Sequence, residues 1–186
     1  MDIGVLKQEL RDELTGNILP FWMNRMKDNE RGGYYGRMTG ENRLVADAPK
    51  GGILHARILW TLSSAALRLQ SEKYLAEARR AKAYIFSHFF DEQFGGTYWM
   101  LHADGTPADD KKQIYSQAFF IYALTEYYRA SGDEEALSRA KELFRLIELH
   151  SYDSDKNGYL EAYSRKWMLL EDLRLSEKDA NEKKTM

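Results

Sequence analysis

The chain has 186 residues, of which 44% are hydrophobic and 30% are charged, with 27 basic and 29 acidic side chains. This balance predicts a globular domain with a sizeable core, and it offers no basic surplus for binding nucleic acid or an anionic membrane. Because cysteine is absent, disulfides, iron–sulfur clusters and thiolate zinc sites are excluded.

The N-terminal segment carries charges every few residues and lacks the apolar run of a signal peptide or a membrane span. We therefore expect a cytoplasmic protein. The first 26 residues also predict a leading helix, because apolar side chains recur there at helical spacing. These residues are Val5, Leu6, Leu10, Leu14 and Ile18.

A short glycine-containing element then recurs with a period of 62 to 63 residues. Its three copies are RGGYY at 31–35, FGGTYW at 94–99 and KNGYL at 156–160, with Asp28, Asp91 and Asp155 three or four residues ahead of the glycines. Glycine beside Asp or Asn favours tight turns, and flanking aromatic residues favour short strands. Each copy is therefore predicted to be a small β-hairpin.

Two kinds of helix are predicted between the hairpins. Residues 53–70 and 114–128 are apolar around most of the helical wheel, which is typical of helices buried on every side. Residues 74–90 and 134–149 are amphipathic, with Asp133 as an N-cap of the second. Their predicted buried stripes are Leu75, Ala78, Ala81, Ile85 and Phe89 in the first, and Leu137, Ala140, Phe144 and Ile147 in the second.

This alternation predicts an all-α ring with buried helices inside and amphipathic helices outside. Residues 1–186 would form three repeats of about 62 residues, whereas a closed ring of such repeats needs about six helix pairs. We therefore expect about half of a ring. Residues 171–186 would be the start of another helix or a frayed tail, and the exposed flanks of the half-ring would favour self-association.

Polar side chains on the buried helices are the candidate site residues, since burying them is costly unless they line a wet cavity. Arg57 is the strongest candidate, because it can stabilise negative charge on a substrate oxygen; an ion pair with Asp47 is the structural alternative. His55 lies in the first turns of the buried helix that carries Arg57, and Gln117 lies in the first turns of the other buried helix. Both are candidate substrate contacts, with a hydrogen-bonded core residue as the alternative for His55.

The other titratable groups are weaker candidates. His88 and His150 end the two outer helices, where a histidine commonly caps carbonyl groups, and His102 falls in the second hairpin. A glycosidase would need two facing carboxylates, for which Asp109, Asp110 and Glu161 are the nearest candidates. No metal-ligand, phosphate-loop or dinucleotide motif is present, so we expect neither metal nor cofactor.

Three segments together resemble the N-acylglucosamine 2-epimerase superfamily, and within it the cellobiose 2-epimerases. They are HARILWTLSSAALRL at 55–69, DEQFGGTYWMLHADGTP at 91–107 and KQIYSQAFFIYALTEY at 112–127. The resemblance runs from about residue 15 to residue 186. It implies an (α/α)6 barrel, in agreement with the ring expected from the repeat.

The resemblance also implies a chemistry. Such enzymes invert C2 of a reducing-end sugar without metal or redox cofactor, by removing the C2 proton to give a cis-enediolate and returning a proton to the opposite face. The family's arginine matches Arg57, which would hold the enediolate oxygens, and its sugar-contacting tyrosine matches Tyr115. Trp99 is a further expected substrate contact in the second hairpin.

The chain departs from the family in length, because members are about twice as long and their catalytic histidines match none of the four histidines here. We therefore expect an N-terminal half that is inactive alone. Three other functions stay open: an N-acylglucosamine 2-epimerase, an aldose–ketose isomerase of the same fold, and a non-enzymatic sugar-binding helical module.

Overall fold

The computed structural model describes residues 2–181, within which five α-helices follow one another. They are α1 (Ile3–Glu13), α2 (Gly52–Leu69), α3 (Glu72–Tyr84), α4 (Ile114–Ser131) and α5 (Glu134–His150). Helix α1 continues through two π-helical turns, Leu14–Ile18 and Phe21–Arg25, and α3 continues through a third, Ile85–Phe89. The helices predicted from the two periodicities are therefore confirmed.

The helices form two layers. Helices α2 and α4 pack side by side, and α3 and α5 cover them from outside. The inner pair runs in the same direction, because Gly52 at the start of α2 lies against Ser116 in the first turn of α4, and Trp60 contacts Tyr122 further along. One continuous core fills the space between the layers; its fully buried members include Leu59, Leu62, Ile85, Phe89, Phe120 and Leu124.

Seven short strands lie at the end of the molecule where the inner helices begin. They are β1 (Lys50–Gly51), β2 (Met100–Leu101), β3 (Pro107–Asp109), β4 (Lys112–Gln113), β5 (Tyr152–Asp153), β6 (Gly158–Tyr159) and β7 (Ala162–Tyr163). All pairings are antiparallel: β1–β2–β3 form one sheet, while β4–β7 and β5–β6 form separate pairs. Strands β1 and β4 lead directly into α2 and α4, so the strands mark the mouth of the inner-helix layer.

The three glycine-containing elements are hairpins, as predicted. The first two close through single bridges, Lys27 to Tyr34 and Phe90 to Thr97, and the third is the β5–β6 pair. In each, an aspartate Oδ1 accepts backbone N–H groups two and three residues later, and these aspartates are Asp28, Asp91 and Asp153. The choice of Asp155 for the third repeat was wrong, because Asp153 is the residue that lies five positions before the glycine in every copy.

The buried stripes of the outer helices are confirmed in part, because Leu75 and Leu137 are only half-buried and one further position is exposed. Phe144 on α5 is 55% exposed, and Ala136 and Leu143 are buried instead. A neighbouring stripe of α5, which contains Ala136 and Leu143, has the same helical spacing and faces the core. The prediction that Phe144 is buried was therefore wrong. In the leading helix no residue of α1 is buried, and the core contacts come from Leu19, Met23 and Met26.

The helix ends follow local sequence. Asp133 caps α5 as predicted, with its carboxylate accepting the backbone N–H of Ala136 at 3.1 Å. Helices α2 and α4 both end in a left-handed residue 62 positions apart, Gln70 with φ of 50° and Gly132 with φ of 72°. Glycine adopts this conformation without steric penalty, whereas glutamine does not.

Residues 171–181 contain no helix, and 182–186 lie outside the described residues, so the further helix expected there is absent from the described part of the segment. Across residues 2–181 no helix has the length and apolarity that crossing a membrane would require.

Candidate functional site

A cavity of about 710 Å³ lies along the inner faces of α2 and α4. Arg57 and Tyr115, which the sequence placed in one site, both line it, together with residues from the following turns of each helix. The full lining is Arg57, Trp60, Thr61, Tyr115, Ala118, Phe119 and Tyr122. The wall is thus mainly aromatic, with one cation near the mouth, which is the usual make-up of a site for a small polar ligand with apolar faces.

Arg57 is exposed to this cavity and carries no ion pair within the part of the chain that the structure describes. Asp47, the partner that a structural role would require, pairs instead with Arg31 at 2.8 Å. Arg57 also borders an apolar groove of about 370 Å³ on the other side of α2. A guanidinium without a protein carboxylate keeps its donors available for an anionic or hydroxyl-bearing ligand.

His55 lies in the core and not in the cavity, since its side chain is only 1% exposed. Its Nε2 accepts the backbone N–H of Tyr34 at 3.1 Å, and its Nδ1 lies 2.9 Å from the carbonyl of Gly51. The pKa of His55 is lowered to about 4, mainly by burial. The positive charges of Lys50 and Arg80 also lower this pKa, whereas the hydrogen bond with the Gly51 carbonyl raises it. His55 is therefore a neutral structural residue, which corrects its expected contact with substrate.

Gln117 has the same role one repeat later. Its Oε1 accepts the N–H of Thr97 and its Nε2 donates to the carbonyl of Thr97, both at 2.9 Å, and the side chain is fully buried. Tyr34 and Thr97 are 63 residues apart, while His55 and Gln117 are 62 apart. Both side chains fix a hairpin to an inner helix, so the expectation that Gln117 contacts substrate is also corrected.

Trp99 is half-buried in the strand region at the mouth and lines neither cavity. Its carbonyl accepts the N–H of Gly52, and the ammonium of Lys111 lies 5.4 Å from its ring centroid. The structure thus places Trp99 beside the first residue of α2.

The remaining titratable candidates lie elsewhere. His88 packs on the ring of Tyr84, and His150 stacks on Trp167 at 4.5 Å. Glu161 is buried, and its Oε1 accepts the N–H of Tyr115 at 3.0 Å, which holds the first turn of α4 against the third hairpin. None of the four histidines, Asp109, Asp110 or Glu161 lines the cavity, as far as residues 2–181 show.

Two buried lysines were missed by the sequence reasoning. Lys50 binds Asp28 at 2.8 Å and Lys112 binds Asp91 at 2.9 Å, with all four side chains fully buried. Each lysine precedes an inner helix by two residues, and each aspartate belongs to a glycine hairpin. Burial alone would raise the pKa of both aspartates, but the lysines, backbone N–H groups and, at Asp91, Arg165 outweigh it and lower the pKa. The two pairs anchor the inner helices.

The buried state of His55 predicts a pH-dependent stability. Its folded pKa of about 4 lies below the ordinary value of 6.5, so the unfolded chain binds more protons between these values and stability falls as the pH falls. We expect the free energy of unfolding to drop by roughly 2 kcal/mol from this group between pH 7 and pH 5. Urea denaturation at both pH values measures it.

The matched variant is His55→Gln, which copies the residue that the second repeat uses. It should lose most of this pH dependence while retaining a folded chain, because Gln117 shows that a glutamine can accept the hairpin N–H. An equal drop in stability in the variant and the unmodified chain would contradict the assignment.

Comparisons with known proteins agree with this architecture. A sequence model of the N-acylglucosamine 2-epimerase (GlcNAc 2-epimerase) family matches residues 33–177. The chain is 57% identical to a cellobiose 2-epimerase of Bacteroides fragilis over 98% of its own length, which is 46% of that relative. It is 26% identical to human N-acylglucosamine 2-epimerase over 82% of its length.

Solved structures give the same result. The cellobiose 2-epimerase of Bacillus thermoamylovorans superposes with a TM-score of 0.90 at 43% identity, over 94% of this chain and 45% of that one. A D-mannose isomerase, at 20% identity and a TM-score of 0.78, shares the fold. The chain therefore spans less than half the length of these relatives and has the fold of about half of an (α/α)6 barrel. With most of its length matched by the family model, the chain belongs to the N-acylglucosamine 2-epimerase family.

Proposed function

We propose that residues 1–186 provide the Arg57-bearing wall of a sugar 2-epimerase site, which acts on the reducing-end sugar of cellobiose or a related β-1,4-disaccharide. The observation that carries this proposal is the unpaired Arg57 in a cavity of about 710 Å³ with aromatic walls. Tyr115 lies in the same cavity, 36% exposed, and would contact the sugar. The family's cellobiose 2-epimerases supply the proposed substrate class.

The proposed reaction begins with removal of the proton from C2 of the open-chain sugar. The electron pair of the C–H bond forms the C1–C2 double bond and the carbonyl electrons pass to its oxygen, giving a cis-enediolate with its negative charge on the C1 oxygen and a hydroxyl on C2. A fixed guanidinium stabilises such charge as it develops. Return of a proton to the opposite face of C2 inverts the centre, so the reaction is redox-neutral and needs no co-reactant.

The groups that move the proton would come from outside the described residues. The residues that line the cavity include no histidine, aspartate or glutamate, which are the side chains that most often move protons in catalysis. We therefore propose that the chain alone does not catalyse epimerisation. In this proposal residues 1–186 are the N-terminal half of the barrel, in three repeats of about 62 residues.

The test joins this chain to the part of the Bacteroides fragilis cellobiose 2-epimerase that lies outside the matched residues. NMR of cellobiose in D2O should show deuterium at C2 with the joined protein and none with the chain alone. A ketose as the main product would indicate an aldose–ketose isomerase. Binding of cellobiose by a folded joined protein without exchange would indicate a sugar-binding module and overturn the proposal.

We also propose that the chain self-associates. The groove of about 370 Å³ between α2 and the π-helical turns is lined by apolar side chains from both sides, chiefly Leu19, Trp22, Ile53, Leu54, Ile58 and Leu62. Covering it would remove apolar surface from water. Light scattering should show a mean mass that rises above 21.7 kDa with concentration, and Leu54→Glu should reduce the rise. A constant monomer mass at high concentration would contradict self-association.

A further inference from the structure

Two aromatic rings from different helices line the cavity at the end away from the strands. Trp60 of α2 and Tyr122 of α4 lie nearly parallel, with an interplanar angle of 12° and ring centroids 4.9 Å apart. Tyr122 is 44% exposed and Trp60 is half-buried, so the pair presents ring surface to the cavity. The stacking holds the two rings in one position relative to each other.

The position of this pair relative to Arg57 follows from helix geometry. Tyr115 lies in the first turn of α4 beside the strands, and Tyr122 follows seven residues later, about 10 Å along the axis. Phe119 bridges the two by edge-on contacts at 5.0 and 6.1 Å. Trp60 follows Arg57 by three residues, about 4.5 Å along α2. The aromatic pair therefore lies about one helical turn beyond the backbone of Arg57, on the side away from the mouth.

The charge on Arg57 reaches this end of the cavity. Burial raises the pKa of Tyr122, as does Glu126 one turn further along, and Arg57 opposes the rise. A ligand oxygen held by the guanidinium would thus lie close to the aromatic pair.

We propose that the Trp60–Tyr122 pair is the floor of the sugar site and positions the reducing-end sugar, by stopping it one turn beyond Arg57. In this proposal the C1–C2 end of the sugar lies between Arg57 and the aromatic pair. Further sugar units extend past Tyr115 towards the strands, where the cavity opens. This inference rests on the proposed function, because that function is what places C1 and C2 at Arg57.

The floor predicts a selectivity that can be measured on the chain itself. Cellobiose has a free C1 hydroxyl, whereas 4-nitrophenyl β-cellobioside carries an aromatic group at C1 that would collide with the floor. Calorimetric titration should show that the unmodified chain binds cellobiose at least about tenfold more tightly than the nitrophenyl glycoside, a difference of about 1.4 kcal/mol.

Removing either ring should narrow this ratio to within about threefold, because Trp60→Ala and Tyr122→Ala each open space below Arg57. Trp60→Phe keeps a ring and should retain the preference. Phe144→Ala, on the exposed face of α5, is the matched control and should leave the ratio unchanged. A merely structural role would weaken both ligands in parallel. Urea denaturation identifies any variant that fails to fold. If Trp60→Ala fails to fold, the test uses Tyr122→Ala, which changes the more exposed ring.

The outcomes separate the two proposals. Two results would overturn the floor alone, provided that cellobiose binding still depends on Arg57. One is equal binding of both glycosides by the unmodified chain. The other is a ratio of the two affinities that neither alanine variant changes. If the unmodified chain binds neither glycoside, the floor is overturned, whereas the proposed function is decided separately by C2 exchange in the joined protein.

Discussion

Replacing Arg57 by alanine should lower the rate of C2 exchange by about 10²–10³-fold in the joined protein, which is the usual effect of removing one donor to a developing oxyanion. The reason is that this cation is the charge which the cavity wall contributes to the enediolate, and the described structure shows no carboxylate that already neutralises it. The measurement is the initial rate of deuterium incorporation at C2 of cellobiose, at saturating and at low sugar concentration.

Two controls define the meaning of this result. Arg57→Lys keeps the positive charge but lacks the planar fork of donors, so we expect an intermediate loss. Urea denaturation should give the same stability for Arg57→Ala as for the parent, because the side chain is exposed. A rate within threefold of the parent would remove Arg57 from the proposed mechanism, and unfolding of the variant would instead assign it a structural role.

Replacing Lys50 by methionine should destabilise the chain by about 3–5 kcal/mol, because the change leaves the carboxylate of Asp28 buried without its counter-charge. The Lys50 ammonium also donates to the carbonyl of Gly32 at 2.7 Å, so the first hairpin loses a second hydrogen bond. Such a loss is a large part of the stability of a domain of this size. Urea denaturation at pH 7 measures it.

The second repeat provides the matched control. Lys112→Met should cost less, because Asp91 keeps two hydrogen bonds from Arg165, at 2.9 and 3.1 Å. The double variant Asp28→Asn with Lys50→Met should recover most of the loss, since no charge then remains buried. Equal losses in the two lysine variants, or no recovery in the double variant, would contradict an electrostatic origin.

The helices and the ring could be predicted from sequence because their signals are local and periodic. The all-round apolarity of α2 and α4 and the stripe of α3 are set by residues three to four positions apart, and the 62-residue repeat fixes their order. Phe144 was misplaced because a single helix does not reveal which of two adjacent stripes meets the neighbour. That choice depends on α4, whose packing against α5 is a tertiary contact.

The site was predicted in part. Arg57 and Tyr115 were brought together through the family resemblance, and the structure places both in one cavity. His55 and Gln117 were misread because each is bound to backbone more than 19 residues away, which helical position alone does not reveal. Alignment of the repeats points to these structural roles, because His55 aligns with Gln117 and Lys50 aligns with Lys112. Trp60 and Tyr122 were hidden among the many aromatic residues of helices that are apolar on every side.

The left-handed residues that end α2 and α4 make the two repeats unequal. Gln70 holds a conformation that costs a residue with a Cβ atom roughly 1 kcal/mol, whereas Gly132 adopts the same conformation freely. The carbonyl of Ala66 accepts backbone N–H groups of both Gln70 and Ser71 at the first corner, and Gly132 donates to the carbonyl of Tyr128 at the second. Backbone strain at these two corners is therefore confined to the one between α2 and α3, in the repeat that carries Arg57.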